Sequence, residues 1–373
     1  MVCLHGGTEL MTIERALLSA KKGSSQVDFM GAVYTGAATD TSGYPYLSVC
    51  WSQNYAWAAY RNVNAYVETL VYNTSTNAFS SNASINAVST YADWSFSVTP
   101  LNNDYVLAGF NRDAAMKIYS ASSGSITASA SNTSSSVIIF DGPAKYDGAN
   151  NRIITASDAN ISGWSAKAIN LSTNSSFTSL SVASSSQILS PAADSFPTVM
   201  AEFDSTYYLV LSSNNVTGQA SLCSYPITVV TQNAGSGTSL FNLSAANADT
   251  NRIVATYNGN VVIWSRSGTT ISSAGSTSLG STLRTTNINE VHCAVIVKIA
   301  TNLLAVVYID NANNLKIRKI TVTSDTSLTL GTAETLKTDV TTNQVTAAYN
   351  STLKTMIIGY SKGVFALGRT WMV

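Results

Sequence analysis

Charge is scarce in this chain of 373 residues: Asp, Glu, Lys and Arg together make up 11% of it, against roughly 25% in an average soluble protein. The 20 basic and 20 acidic side chains cancel, so there is no basic field to attract nucleic acid or an anionic membrane surface. Cysteine is limited to Cys3, Cys50, Cys223 and Cys293, scattered singly without a CxxC pair. That excludes the usual zinc and thioredoxin-like motifs and suits small buried hydrophobes. The two histidines, His5 and His292, leave little material for a metal cluster or a Ser-His-Asp arrangement. His292, between Val291 and Cys293 in an apolar run, reads as a core residue. No run approaches the roughly 18 to 20 apolar residues of a membrane-spanning helix, and membrane insertion is not expected. Glu9, Glu14 and Arg15 interrupt the N-terminal stretch, where a signal peptide would be continuously apolar.

Hydrophobic residues nevertheless form 45% of the chain, enough to bury a substantial core. The polar remainder is mostly Ser, Thr and Asn. Length alone suggests two or three domains, but the chain repeats itself. The phrase from Asp249 to Ser272 recurs in degraded form from Asn103, Asn150 and Thr301, and more weakly from Tyr55, Ser205 and Ser351. Aligned on the end of the first apolar run, the copies fall at Tyr60, Phe110, Ser157, Ser212, Tyr257, Tyr308 and Tyr360, a mean spacing of about 50 residues.

Within one unit the pattern resolves into four short strands. RIVATY and VVIWSR flank Asn258-Gly259, and Asn-Gly between alternating runs is a strong hairpin signal. Four antiparallel strands in a unit of 40 to 50 residues describe the blade of a β-propeller. The expected fold is therefore all-β: one seven-bladed propeller of four-stranded antiparallel blades over residues 27–373, preceded by an extension, residues 1–26. The seventh copy ends too early to supply its outer strand, and Val27 to Gly36 is the expected substitute. Such a clasp removes open sheet edges.

The extension holds one helix candidate, residues 12–22, with Thr12 as N-cap, Glu14 in the first turn, Lys21 and Lys22 in the last, and Gly23 as terminator. Its apolar side chains, Ile13, Leu17 and Leu18 among them, would pack on the ring or dock to a partner subunit.

Catalytic motifs are weak. Ser157 to Trp164 only approximates the Ser-x-Asp-x-Gly-x-x-Trp turn of propeller sialidases. Acidic residues are too dispersed to nominate the paired carboxylates of glycoside hydrolysis. Asp310 to Asn314 lacks the closing Glu of a calcium loop and suits a polar hairpin. No catalytic residue, metal ligand or cofactor is expected. The turns between second and third strands would ring one mouth of the channel, offering Asn62, Arg112, Asp158, Asn214, Asn258, Asp310 and Lys362. Amides there suit sugar hydroxyls, although Asn and Asp are also what tight hairpins require.

Asp249-Thr250-Asn251-Arg252-Ile253-Val254-Ala255-Thr256-Tyr257, echoed by YDGANNRII from Tyr146 to Ile154, resembles the Tyr-Asp-x-x-x-Asn-Arg blades of propeller proteins in tailed-phage virions. Those are found in tail fibres, receptor-binding proteins and other exposed parts. Roughly residues 28 to 373 share the resemblance. The Gly-His and Trp-Asp pair of tryptophan-aspartate repeats is lacking, as is the double glycine of kelch repeats. The resemblance implies a non-enzymatic virion surface protein, a tail or capsid component acting in host attachment or particle decoration. Its partners would be other virion proteins and a host surface glycan or receptor, with many copies placed by particle symmetry. It would be made in the host cytoplasm and released by lysis. The alternatives are a cellular carbohydrate-binding or adhesion propeller and a glycan-cleaving enzyme.

Overall fold

The computed structural model describes residues 29–34, 47–62, 64–75, 78–88, 96–110, 115–132, 144–160, 164–188, 198–213, 218–234, 242–280, 283, 293–340, 344–360 and 363–367. The helix candidate with Ile13, Leu17 and Leu18, the extension 1–26, and His5, Cys3 and His292 lie outside these residues. Among the described residues the only helical element is a single 3-10 turn, Gly148–Asn150.

The strands form antiparallel sheets of mostly consecutive segments, the arrangement of a β-propeller. Sheets 1 to 5 cover residues 47–88, 96–132, 144–187, 199–234 and 244–278, each with four strands in chain order. Sheet 7 is also four-stranded. It joins Val345–Asn350, Thr355–Tyr360 and Gly363–Leu367 to the N-terminal strand Phe29–Tyr34, which pairs antiparallel with Gly363–Leu367 at the outer edge. Sheet 6, residues 294–337, departs from the expected blade by carrying five strands. Its outer edge is split, with Leu328–Leu330 and Glu334–Lys337 pairing to opposite halves of Leu315–Val322. Between the pieces the chain turns aside at Gly331, whose carbonyl accepts Arg318 Nε at 2.7 Å. Six sheets thus fit the four-stranded pattern and one modifies it.

Position in the sheet decides which sequence pattern each strand shows. The second strand of a sheet is covered on both faces by its neighbours, so it reads as a continuous apolar run; in Leu303–Ile309 six of seven residues are buried. Outer strands such as Ser125–Asn132 are largely exposed and rich in Ser and Thr. The Asn258-Gly259 hairpin has φ of +52° and +76°, the left-handed pair a two-residue type I′ turn needs.

The core is divided among the sheet interfaces. One cluster joins sheets 1 and 2 through Trp57, Val67, Val98 and Tyr119; others join 2 to 3, 3 to 4, 4 to 5, 5 to 6 and 6 to 7. A further cluster joins sheet 7 back to sheet 1 through Ile357, Leu47, Val49 and Trp51. The sheets also meet in this cyclic order along their inner strands, the inner strand of sheet 4 meeting the second strand of sheet 3, so the sheets close a ring.

Hydroxyls on the inner strands stitch that ring. Ser48 Oγ accepts Val98 N–H at 3.1 Å, Thr99 Oγ1 accepts Ala144 N–H at 3.1 Å, and Ser244 Oγ accepts Ile296 N–H at 2.9 Å. Inner strands have no strand neighbour toward the axis, and a short hydroxyl side chain reaches the amide of the next sheet. Part of the Ser and Thr content is accounted for in this way. Cys50, Cys223 and Cys293 are buried free thiols, and burial pushes the Cys223 thiol up to about 12.

Candidate functional site

A propeller has two mouths, and the described residues bear on each differently. On the mouth formed by the turns between second and third strands, Asn62 and Asp158 belong to Ala56–Asn62 and Arg152–Asn160. Arg112, Asn214 and Lys362 lie outside the described residues. Asn258 forms the type I′ turn described above. Asp310 is 3% exposed, and its carboxylate is engaged within its own hairpin. It accepts Ala312 N–H at 3.0 Å and Asn314 N–H at 2.9 Å, and pairs with Lys316 Nζ at 2.6 Å. Burial would raise the Asp310 carboxyl, but Lys316 and Asn314 hold it below the usual carboxylate range. The polar-hairpin reading of residues 310–314 agrees with this geometry. Among the described residues no three His, Cys, Asp or Glu side chains gather in a way that could hold a metal ion.

The opposite mouth is built from the turns between first and second strands, where the repeated Asp and Arg reside. Asp249 accepts Arg252 Nε at 2.8 Å and Asn251 N–H at 2.9 Å. In the echo, Asp147 Oδ2 accepts Arg152 Nε and Nη2, both at 2.7 Å, and Asn150 Nδ2 at 2.9 Å. The motif is therefore a carboxylate-guanidinium clamp across a turn. Asn103, Asn151 and Asn302, each near the start of a second strand, take φ of +47°, +47° and +61°, the left-handed region asparagine tolerates best after glycine. For both clamp aspartates burial opposes ionisation, and the Asn and Arg hydrogen bonds prevail, so their carboxyls titrate below the ordinary value.

Neighbouring turns on this mouth are joined in some places and parted in others. Between sheets 1 and 2, Gln53 N–H donates to Asn103 O at 3.1 Å, and Asp104 accepts Ser52 Oγ at 3.0 Å, Asn54 N–H at 2.9 Å and Asn54 Nδ2 at 2.6 Å. Between sheets 5 and 6, Asn302 N–H donates to Ala248 O at 3.1 Å. Between sheets 3 and 4 no main-chain hydrogen bond links residues 147–152 to 202–207 among the described residues. There the surface opens into a cavity of about 750 Å³ that extends to the inner strand of sheet 5.

Six side chains set the chemistry of this cavity: Lys145, Asp147, Arg152, Glu202, Tyr225 and Asn247. Lys145 Nζ spans the gap to Glu202 Oε2 at 2.7 Å. Tyr225 Oη donates to Glu202 Oε1 at 2.6 Å, and the Arg152 guanidinium lies 5.9 Å from the Tyr225 ring centroid. Burial, then the hydrogen bond and charge of Glu202, push the Tyr225 phenol well above its ordinary value. On the far wall Asp204 pairs with Arg266, whose guanidinium stacks 4.7 Å from the Tyr207 ring. Asn247 Oδ1 accepts Lys298 Nζ. Each carboxylate in the wall thus faces a cation.

Of these residues, the repeat motif drew attention to Asp147 and Arg152. Lys145, Glu202, Tyr225 and Asn247 carry no spacing signal, because their proximity depends on how three sheets meet. No family model matches the chain, and no curated protein matches it by sequence. Solved structures share its shape. U3-55K superposes with a TM-score of 0.58 at 10% identity, over 86% of this chain and 95% of that one. Sqt1 of Saccharomyces cerevisiae gives 0.56 at 9%, over 91% and 86%. The Pseudomonas aeruginosa periplasmic gluconolactonase PpgL gives 0.56 at 10%, over 87% and 94%. At such identities the likeness is one of fold.

Proposed function

We propose that this chain is a non-enzymatic binding propeller of a phage particle, a tail or capsid component that acts in host attachment or particle decoration. With the split-edged sheet 6 counted as a blade, the ring is seven-bladed. The Tyr-Asp-x-x-x-Asn-Arg blades supply the link to virion proteins. The observation that favours binding over chemistry is the pairing of every carboxylate in the cavity wall. Asp147 is held ionised by Arg152 and Asn150, and Glu202 is occupied by Lys145 and Tyr225. A glycosidase needs one carboxyl kept protonated as an acid beside a second that acts as base or nucleophile. Preformed ion pairs on a cavity wall instead provide fixed donors and acceptors that orient a ligand.

Electron microscopy of particles purified from a lysate, labelled with an antibody to this chain, tests the assignment. Label at regular positions on the particles is expected. Label confined to host cells would transfer the protein to the second reading, a cellular adhesion propeller. Release of reducing sugar from a glycan panel would make it an enzyme.

A further inference from the structure

We propose that the cavity between sheets 3, 4 and 5 binds an uncharged pyranose, as a free sugar or as the end of a glycan. The inference rests on the binding reading above and names its ligand class. The cavity, at about 750 Å³, lies within the roughly 300 to 1,000 Å³ usual for small-molecule sites. Among the described residues, main-chain links join neighbouring turns on this mouth between sheets 1 and 2 and between sheets 5 and 6, and the cavity lies at a seam without one.

Charge selects the ligand. Lys145 is paired with Glu202, Arg152 with Asp147, and Asp204 with Arg266. A ligand carrying a formal charge would have to split one of these pairs, exchanging a made interaction for a new one. A neutral polyol need split none. Each Glu202 oxygen has a second lone pair beyond the bonds from Tyr225 and Lys145, and Lys145 has donors beyond the one aimed at Glu202. Asn150, exposed at the cavity lip, donates Nδ2 to Asp147 at 2.9 Å, and its side-chain carbonyl is an acceptor. Donors and acceptors side by side on partly exposed groups match vicinal hydroxyls, which both give and take hydrogen bonds. Tyr146, Met200 and Ala201, also in the lining, offer apolar surface for the C–H face of the ring.

The test is titration calorimetry with methyl hexopyranosides, using N-acetylneuraminic acid and glucosamine as charged comparators. Glu202→Gln and Asn150→Ala serve as variants, and a thermal melt serves as the folding control. Asn150→Ala sits in an exposed turn, so it keeps the test available should Glu202→Gln lose structure. The expected result is a millimolar affinity for a neutral hexopyranoside that changes less than about twofold between low and high salt, because no ion pair forms. Glu202→Gln should weaken it about tenfold, in keeping with the loss of charge-assisted hydrogen bonds. Tighter binding of a charged sugar, or steep salt dependence, would overturn the ligand class. Unchanged affinity in both variants would overturn the location and leave the binding reading intact. No binding of any sugar tested, here and on a glycan array, would remove the binding reading too.

Discussion

Thr346 Oγ1 accepts the main-chain N–H of Val49 at 3.3 Å, across 297 positions of sequence. It is the counterpart, at the junction of the last and first sheets, of the hydroxyl bonds that stitch the other inner strands. Thr346→Val keeps the shape and leaves the Val49 amide without its acceptor. The expected cost is about 1 to 2 kcal/mol, the penalty for stranding a partly buried donor. It should appear as a lower urea midpoint with an unchanged slope, and an unchanged midpoint would mean that the hydroxyl carries no closure energy.

Gly359 lies at the same junction. A methyl group there would stand 2.7 Å from Leu47 Cδ2 and 2.9 Å from Thr346 Cγ2, closer than packed atoms allow. Gly359→Ala should therefore destabilise by about 1 to 3 kcal/mol through overpacking, despite alanine's lower backbone entropy cost. A melting temperature equal to or above that of the parent would show that sheets 7 and 1 are less tightly apposed.

The N-terminal strand Phe29–Tyr34 covers the edge of Gly363–Leu367. A chain lacking residues 1–36 would present that edge unpaired, a template for pairing with another copy. Size-exclusion chromatography with light scattering should show concentration-dependent oligomers. A stable monomer of the truncated chain would indicate that the clasp is dispensable.

Asp147, Asp249 and Asp310 titrate below the ordinary carboxylate value in the folded protein. A folded-state value below the unfolded one contributes stability that is present above the unfolded value, about 3.9 for aspartate. That stability is lost as the pH falls through the folded value. The melting temperature should hold through the neutral range and decline below about pH 4. A decline confined to alkaline pH would show that these three carboxylates are not the groups that matter.

Much of the architecture was legible because blade position imposes composition. Doubly covered second strands such as Leu303–Ile309 read as apolar runs, and Asn258-Gly259 announced its hairpin. The missing outer strand of the last sheet pointed to a segment before the first. The split edge of sheet 6, where Arg318 donates to the Gly331 carbonyl, was not legible, since it follows no periodic signal. The Asp and Arg of the repeat were visible as a motif, but their mutual clamp was not, because a side-chain pairing across a turn has no periodic signal. The cavity left no trace in the sequence. It gathers Lys145 from sheet 3, Glu202 and Tyr225 from sheet 4 and Asn247 from sheet 5, residues that no spacing in the sequence brings together.

Which mouth of the ring receives the ligand is best decided by hydrogen exchange with and without a saturating methyl hexopyranoside. Slower exchange at residues 145–152, 202–205, 225 and 245–247, with residues 258–260 and 310–314 unchanged, is the predicted result. Protection confined to 258–260 and 310–314 would contradict it and place the ligand at the opposite mouth.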